Sequence, residues 1–284
     1  MKASESGTVP IGDRTVNRMG FGAMRITGEG IWGPPADRTE AINVLRRAVE
    51  LGVQLIDTAD AYGPEVSETL IAEALSPYPA DLVIATKGGF TRPGPDRWKP
   101  DGRPSHLREA CEASLRRLRL AAIPLYQFHT VDPDVPFAES IGTFAELRDE
   151  GKVVHVGLSN VSVDQVEEAR RIVPIVSVQN RYNVLERRSE SVVDACEAAG
   201  LAFLPWFPIG GGKRDPSDPV EAVARRHGVD ARRVALAWLL HRSPVMAPIP
   251  GTSSVEHLEQ NISAAAIGLS TEDMQLLDRA APRR

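Results

Sequence analysis

The sequence has little of what marks several classes of protein. Its 284 residues include two cysteines, Cys111 and Cys196, and neither belongs to a CxxC pair. A disulfide framework or a cysteine-rich zinc site is therefore not expected, and we predict two reduced thiols in a cytosolic protein. No apolar run approaches the roughly 20 residues of a membrane span, and the first residues contain no stretch of signal-peptide length. We therefore expect no association with a membrane.

A basic surface for nucleic acid is also missing. The formal net charge is −5 and the pI is about 5.8, which argues against a general affinity for nucleic acid. Two nucleotide-binding motifs are incomplete. Gly20 and Gly22 lack the third glycine of a Rossmann fingerprint because position 25 is arginine, and the segment GGGK at 210–213 lacks a following Ser or Thr. We exclude a Rossmann domain and a P-loop NTPase on these grounds.

Short apolar runs alternate with longer amphipathic segments along the whole chain. Regular alternation of this kind, without a low-complexity linker, predicts one α/β domain over residues 1–284 that is built on a parallel sheet. The segment 67–75 is expected to be a helix with Ser67 as its N-cap. Strands are predicted at 19–22, 53–56, 81–85, 124–128, 153–158, 175–178, 201–205 and 245–248, and helices at 39–51, 67–75, 106–118, 136–150, 162–171, 190–199, 219–227, 232–241, 254–262 and 271–279.

The ends of the predicted strands favour a closed barrel over an open sheet. In a closed barrel the carboxyl ends of all strands ring one mouth, whereas in an open sheet they are spread along an edge. The sequence therefore favours a (β/α)8 TIM barrel, and segments 8–9 and 15–16 are expected to form a β-hairpin that closes its bottom. The polar or aromatic residues at the strand ends are Asp57, Lys87, His129, Ser159, Gln179 and Trp206.

Four side chains near three successive strand ends are suited to protonating a carbonyl oxygen. Tyr62 is a weak acid with an ordinary pKa of about 10, and an ammonium group on Lys87 is expected to lower that pKa. A buried lysine keeps its charge when a carboxylate pairs with it, and Asp57 can provide that carboxylate. His129 follows the next strand and can orient the carbonyl oxygen. The sequence thus predicts a general acid that acts while a hydride reaches the carbonyl carbon.

The order of these motifs is similar to that of the aldo-keto reductase family over nearly the whole chain. The resemblance implies an NADPH-dependent oxidoreductase that reduces aldehydes or ketones to alcohols. It also implies a catalytic tetrad of Asp57, Tyr62, Lys87 and His129, with Tyr62 as the proton donor. The motifs that carry the resemblance are GFGAM at 20–24, DTADAYG at 57–63, ATK at 85–87, LYQFH at 125–129, GLSN at 157–160, VQNRYN at 178–183 and IPGTS at 249–253.

The same resemblance implies a site for a nicotinamide nucleotide. Ser159, Asn160 and Gln179 would hold the carboxamide, and Trp206 would stack on the nicotinamide ring where the family usually has tyrosine. Gly251, Thr252 and Ser253, with Gln260 and Asn261 on the helix predicted at 254–262, would hold the adenosine end. The N-terminus of that helix would suit a phosphate. The full set of predicted cofactor-binding residues is Gly22, Met24, Asp57, Ser159, Asn160, Gln179, Trp206, Phe207, Pro208, Gly210, Gly251, Thr252, Ser253, Gln260 and Asn261.

NADPH is the predicted nucleotide, and one departure from the family pattern keeps NADH as an alternative. Many family members carry lysine or arginine where this chain has Gly251 and His257. NADH is therefore an alternative to NADPH, unless hydroxyls and backbone donors, or Lys213 or Arg214 in the glycine-rich loop, replace the missing charge.

The substrate is open as well. Trp32 and Trp98 lie in loops rich in Pro and Gly, where they either line a substrate pocket or pack those loops down. Segments 30–38, 207–211, 235–240 and 251–255 resemble the bacterial pyridoxal reductase branch of the family, which makes pyridoxal a candidate substrate.

Two other functions are compatible with a barrel of this kind. A metal-dependent barrel hydrolase or isomerase needs clustered ligands such as paired histidines, and His129 stands alone, so no metal is expected. The alternative hypothesis is a barrel that binds the nucleotide and regulates a partner, with little turnover. We expect a monomer or a small homo-oligomer that acts on a small-molecule aldehyde or ketone.

Overall fold

A computed structural model of the chain describes residues 1–210 and 218–281. Seven strands in this part of the chain form one parallel sheet, in the order β11-β10-β9-β8-β5-β4-β3. Two antiparallel hairpins stand beside it, β1 with β2 and β6 with β7. The strands are β1 (Thr8–Ile11), β2 (Arg14–Asn17), β3 (Phe21–Gly22), β4 (Leu55–Asp57), β5 (Val83–Gly88), β6 (Phe90–Gly94), β7 (Arg97–Pro100), β8 (Ile123–Phe128), β9 (Val153–Ser159), β10 (Ile175–Gln179) and β11 (Ala202–Phe203).

Helices follow the strands and cover the outer face of the sheet. The apolar faces of the helices pack against outward-facing strand residues such as Ile56, Ile84 and Tyr126 in one large core. The helices are α1 (Arg38–Glu50), α2 (Val66–Leu75), α3 (Pro104–Leu118), α4 (Phe137–Asp149), α5 (Val163–Ile172), α6 (Glu190–Ala199), α7 (Pro219–His227), α8 (Ala231–Arg242), α9 (Val255–Ser263) and α10 (Thr271–Asp278).

The segment 245–250 joins the two edges of the sheet. On one side it exchanges backbone hydrogen bonds with Phe203 of β11, and on the other side its carbonyl oxygens accept from Gly20 and Gly22 beside β3. The strand predicted at 245–248 is therefore reduced to one isolated bridge, because the prolines at 248 and 250 have no N–H to donate to a ladder. These bonds close the sheet into a barrel, which confirms the predicted fold class.

Strand periodicity places the chemically active side chains inside the barrel. Successive residues of a strand point to opposite faces. Leu55, Val83 and Leu125 belong to the inner core, so residues two or four positions further along the same strands also face inward. These residues are Asp57 on β4, Lys87 on β5 and Gln127 on β8.

The N-terminal hairpin closes the amino ends of the strands, as predicted. Its apolar residues Val9, Ile11 and Val16 are buried against the inner core of the barrel. The side chain of Arg14 also donates to the carbonyl oxygen of Ala80, just before β5 begins. The opposite end of the barrel, where the polar strand residues lie, is left as its mouth.

Two local predictions are wrong. Ser67 is not the N-cap of α2, because the helix begins at Val66 after Glu65, whose φ of 67° lies in the left-handed region. The Ser67 hydroxyl is buried and bonds Thr58 Oγ1 and the carbonyl oxygen of Ala23. The loop expected around Trp98 is instead the hairpin of β6 and β7, which the Pro and Gly content of segment 88–102 concealed.

No helix in the described part of the chain is long and apolar enough to cross a membrane. Cys111 and Cys196 are both free and buried.

Candidate active site

A cavity of about 500 Å³ opens at the carboxyl ends of the strands. It contains three of the four predicted catalytic residues and most of the predicted cofactor residues. Five lining residues were not predicted, and they are Arg25, Ile31, Phe90, Ile209 and Ile249. The predicted residues that line it are Gly22, Met24, Asp57, Tyr62, Trp98, His129, Ser159, Asn160, Gln179, Trp206, Phe207, Pro208, Gly210 and Gly251.

Lys87 lies directly beneath the cavity and joins two of its walls. The side chain is fully buried, and Nζ donates to Asp57 Oδ2 at 2.6 Å, to the carbonyl oxygen of Thr58 at 2.8 Å and to Tyr62 Oη at 3.3 Å. Burial lowers the pKa of Lys87, but the charge of Asp57 and the bonds to Asp57 and Tyr62 outweigh it and raise the net pKa. Lys87 therefore stays charged at neutral pH, as the sequence predicted.

The Asp57 carboxylate is held from both sides. While Oδ2 pairs with Lys87, Oδ1 accepts from Gln127 Nε2 at 2.9 Å and from Gln179 Nε2 at 2.8 Å. Gln127 is buried and was not predicted as a site residue, although its inward position two residues after Leu125 was a usable signal. The two amides satisfy the oxygen that Lys87 leaves open, so a buried charge pair is fully hydrogen-bonded.

Tyr62 reaches the cavity from the loop after β4. Burial raises the pKa of Tyr62 above its ordinary value, and the charge of Lys87 opposes this shift without reversing it. The predicted lowering of the Tyr62 pKa is therefore wrong in its net direction. The loss of phenolate hydration on burial outweighs the attraction between the phenolate and the nearby ammonium. Tyr62 consequently keeps its proton at neutral pH.

His129 forms an aromatic wall together with residues of the β6–β7 hairpin. Its ring meets Phe90 edge to face at 4.7 Å, Tyr62 at 5.8 Å and Trp98 at 6.2 Å between centroids. Burial, with the charge of Lys87, holds the pKa of His129 well below its ordinary value. The imidazole is thus neutral, so one ring nitrogen carries a proton and the other can accept one.

Arg92 holds this aromatic wall in place. Its guanidinium lies 3.8 Å from the Trp98 ring and 5.7 Å from the Trp32 ring. The same group donates to the carbonyl oxygens of Gly30, Ile31, Ala61 and Arg97 at 2.9 to 3.0 Å. Of the two predicted pocket tryptophans, Trp98 lines the cavity, whereas Trp32 is absent from its lining and lies against Arg92.

Asn160 and Trp206 are joined on the opposite wall. Asn160 has a φ of 57°, a left-handed conformation that asparagine tolerates, and this turn follows β9. Its Nδ2 donates to the His129 carbonyl oxygen and to Ser159 Oγ, and its Oδ1 accepts from Trp206 Nε1 at 2.9 Å. The indole plane is therefore fixed. Within the described chain, Gln179 Oε1 accepts no hydrogen bond, so this oxygen remains available to a ligand in the cavity.

The predicted adenosine-end residues lie apart from the cavity lining, except for Gly251. Two N–H groups in the first turn of α9 already have acceptors, since Val255 N donates to Glu40 Oε1 at 3.0 Å and His257 N donates to Ser254 Oγ. This helix N-terminus is therefore less open to a phosphate than the sequence suggested. The predicted residues outside the lining are Thr252, Ser253, Gln260 and Asn261.

Two further predictions concern charges and metals. Lys213 and Arg214, considered as sources of positive charge, lie outside the described residues. Within the described ranges, no three His, Cys, Asp or Glu side chains are grouped so as to hold a metal ion.

Comparison with known proteins identifies the family. The model of the aldo/keto reductase family matches residues 18–282. An uncharacterized oxidoreductase of Schizosaccharomyces pombe is 50% identical over 97% of this chain and 90% of its own length. Pyridoxine 4-dehydrogenase of Escherichia coli is 43% identical over 96% of this chain and 98% of its own length.

Solved structures agree with this assignment. An aldo/keto reductase of Klebsiella pneumoniae, in complex with NADP and acetate, superposes with a TM-score of 0.82 at 26% identity. The match covers 100% of this chain and 98% of the other. Together with the closed barrel, these matches confirm the resemblance seen in the motifs: the chain is an oxidoreductase that belongs to the aldo/keto reductase family.

Proposed function

We propose that this protein reduces a small aldehyde or ketone to the alcohol with NADPH, and that Tyr62 donates the proton. The observation that carries the proposal is the chain of contacts from Asp57 through Lys87 Nζ to Tyr62 Oη, at 2.6 and 3.3 Å, at the wall of the cavity. We also infer that residues 1–284 form one domain, because segment 245–250 and Gly20 close the same barrel.

The residues of the cavity fit a nicotinamide nucleotide. Trp206 presents a flat ring whose position Asn160 fixes, and Gln179 Oε1 is left without a partner among the described residues. Gly22 and Gly251 also line the cavity, and without side chains they leave their backbone accessible to the nucleotide. Trp206 would lie against the nicotinamide, while Gln179, Ser159 and Asn160 would contact its carboxamide. NADPH, when bound, supplies the hydride.

The chain itself supplies the proton and the orientation of the substrate. Tyr62 holds its proton at neutral pH, so it can give that proton to the carbonyl oxygen as the carbon is reduced, and a neutral alcohol leaves. The phenolate that remains is stabilised by the Lys87 ammonium, which Asp57 keeps charged. The neutral His129 ring, 5.8 Å from the Tyr62 ring, can donate a hydrogen bond to the same carbonyl oxygen and so place it against Tyr62.

The shape of the cavity favours a flat aromatic aldehyde. Trp98, Phe90 and Ile31 line it together with Tyr62 and His129, and these rings meet one another edge to face. Such a wall suits the face or edge of a planar ring. The 43% identity to pyridoxine 4-dehydrogenase makes pyridoxal the first substrate to test.

The direct test is the consumption of NADPH, and separately of NADH, by the purified protein with pyridoxal and with 4-nitrobenzaldehyde. We expect turnover with NADPH and a lower KM for pyridoxal. The Tyr62→Phe variant should lose roughly 100-fold or more of kcat, the usual contribution of a general acid, while it still binds NADPH. A variant that turns over as fast as the wild type would exclude Tyr62 as the acid.

A regulatory role with little turnover is the competing function. Tight NADPH binding without turnover of either aldehyde would favour it. Turnover of 4-nitrobenzaldehyde without activity on pyridoxal would keep the reductase and reject the substrate.

A further inference from the structure

Two glycines of the cavity lining are in close backbone contact. Gly22 N donates to the Pro250 carbonyl oxygen at 3.3 Å, where segment 245–250 closes the barrel against β3. A Cβ atom on Gly251 would lie 2.7 Å from the carbonyl oxygen of Gly22, and a Cβ atom on Gly22 would lie 2.6 Å from the carbonyl oxygen of Ile249. Both separations are shorter than a carbon and an oxygen tolerate. Any side chain at position 251 would therefore require the backbone to shift.

This contact prevents position 251 from carrying a lysine or an arginine. A positive charge for a nucleotide phosphate must come from another part of the chain. The side chain of Arg25 crosses this point, since its Cγ lies 3.5 Å from the Cβ position on Gly251. The space above Gly251 is thus occupied by the aliphatic part of an arginine that starts on a different segment.

Arg25 is placed like a binding residue rather than a structural one. It is exposed, it lines the cavity, and it makes no hydrogen bond or ion pair with any residue the structure describes. Arg92 differs in this respect, since its guanidinium donates four hydrogen bonds to carbonyl oxygens. An arginine beside a cavity whose N–H donors have no acceptor in the described structure can form bidentate hydrogen bonds with an anion.

The first turn of α9 gives a second reason for a cation here. Glu40 Oε1 accepts from Val255 N, so a carboxylate lies at the helix N-terminus and partly neutralises the positive end of the helix dipole. A phosphate close to this end would meet a negative charge. Arg25, which lines the cavity, offers a cation that can offset this charge.

We propose that Arg25 binds a phosphate group of the nicotinamide nucleotide and supplies the charge that position 251 cannot carry. This inference rests on the proposed function, because it assumes that the nucleotide occupies the cavity. It assigns to Arg25 a recognition role in the binding of NADPH. Arg25 takes no part in the transfer of the hydride from NADPH or of the proton from Tyr62.

The test measures nucleotide binding without turnover. The Kd of NADPH and of NADH is measured by quenching of intrinsic tryptophan fluorescence in wild type, Arg25→Gln and Arg25→Lys, at low and at high salt. The matched control is Arg116→Gln, which removes an exposed arginine of α3 outside the cavity lining. Circular dichroism melting confirms that each variant is folded.

We expect Arg25→Gln to raise the Kd of NADPH roughly tenfold or more, the usual loss for a hydrogen bond to a charged group. Arg25→Lys should lose less, and the salt dependence of binding should weaken in the glutamine variant. An unchanged Kd for NADH would identify the 2′-phosphate as the partner, and an equal loss for NADH would identify the diphosphate. Both results support the proposal.

Folded Arg25→Gln that binds NADPH within twofold of the wild type would overturn the proposal while leaving the reductase intact. A similar loss in Arg116→Gln would also overturn it, because the effect would then reflect general charge. Failure of the wild-type protein to bind either nucleotide would instead refute the proposed function, and this inference with it.

Discussion

Asp60 offers a sharp test of the electrostatics behind the active site. It lies two residues before Tyr62, and its Oδ1 atom is buried without a hydrogen-bond partner among the residues the structure describes. Burial, with the nearby carboxylate of Glu68, raises the pKa of Asp60 to about 8, although the charge of Arg117 opposes the shift. At neutral pH the folded chain therefore holds a proton on Asp60. The unfolded chain, where an aspartate has a pKa of about 3.9, does not.

This difference makes stability depend on pH with a definite sign. Between the two pKa values the folded state binds one proton more than the unfolded state, so the free energy of unfolding falls as pH rises. The titration of Asp60 changes the free energy of unfolding by about 1.4 kcal/mol for each pH unit, and by up to about 6 kcal/mol over the whole window. Below the window both states hold the proton, and above pH 8 both have lost it, so the contribution is constant at either end.

The Asp60→Asn variant removes this titration while keeping the shape of the side chain. Urea unfolding is followed by circular dichroism at pH values from about 5 to about 8. The free energy of unfolding of the variant, relative to wild type, should increase steadily with pH. Asp164→Asn, at an exposed position of α5, should follow the wild-type profile. Parallel profiles for Asp60→Asn and wild type would refute the assignment of a protonated Asp60.

Two further predictions concern the wall and the floor of the cavity. Lys87→Met leaves the buried Asp57 carboxylate without its cation and should lower the free energy of unfolding, measured in urea, by about 3–5 kcal/mol. The double variant Lys87→Met with Asp57→Asn should recover much of this loss. If the losses of the two single variants simply add in the double variant, the pairing of Lys87 with Asp57 is contradicted. Arg92→Lys keeps the charge, but a lysine cannot donate to four carbonyl oxygens at once. Steady-state kinetics should therefore show a KM for 4-nitrobenzaldehyde that is raised about threefold or more. The change in kcat, and the change in the KM for a small aliphatic aldehyde, should be smaller. Equal effects on both substrates would show that Arg92 does not position the aromatic wall.

Local patterns were enough to predict the barrel. The spacing of apolar residues located the helices, and α6 and α7 begin and end where the sequence placed them. The prediction for segment 245–248 was less successful, because prolines at 248 and 250 replace a regular ladder with a few hydrogen bonds to both neighbours. The hairpin of β6 and β7 was missed for a similar reason, since Pro and Gly in that segment read as a loop.

The sequence by itself determined the alternation of strands and helices, and with it the inward direction of Asp57 and Lys87, because side-chain direction in a strand follows a period of two. Tertiary structure alone decided which groups meet. Gln127 completes the pocket of Asp57, Arg92 holds Trp98, and Arg25 crosses Gly251. These contacts join residues that are far apart in the chain. Their distances depend on how the closed barrel brings separate loops to one mouth, and no local pattern encodes that.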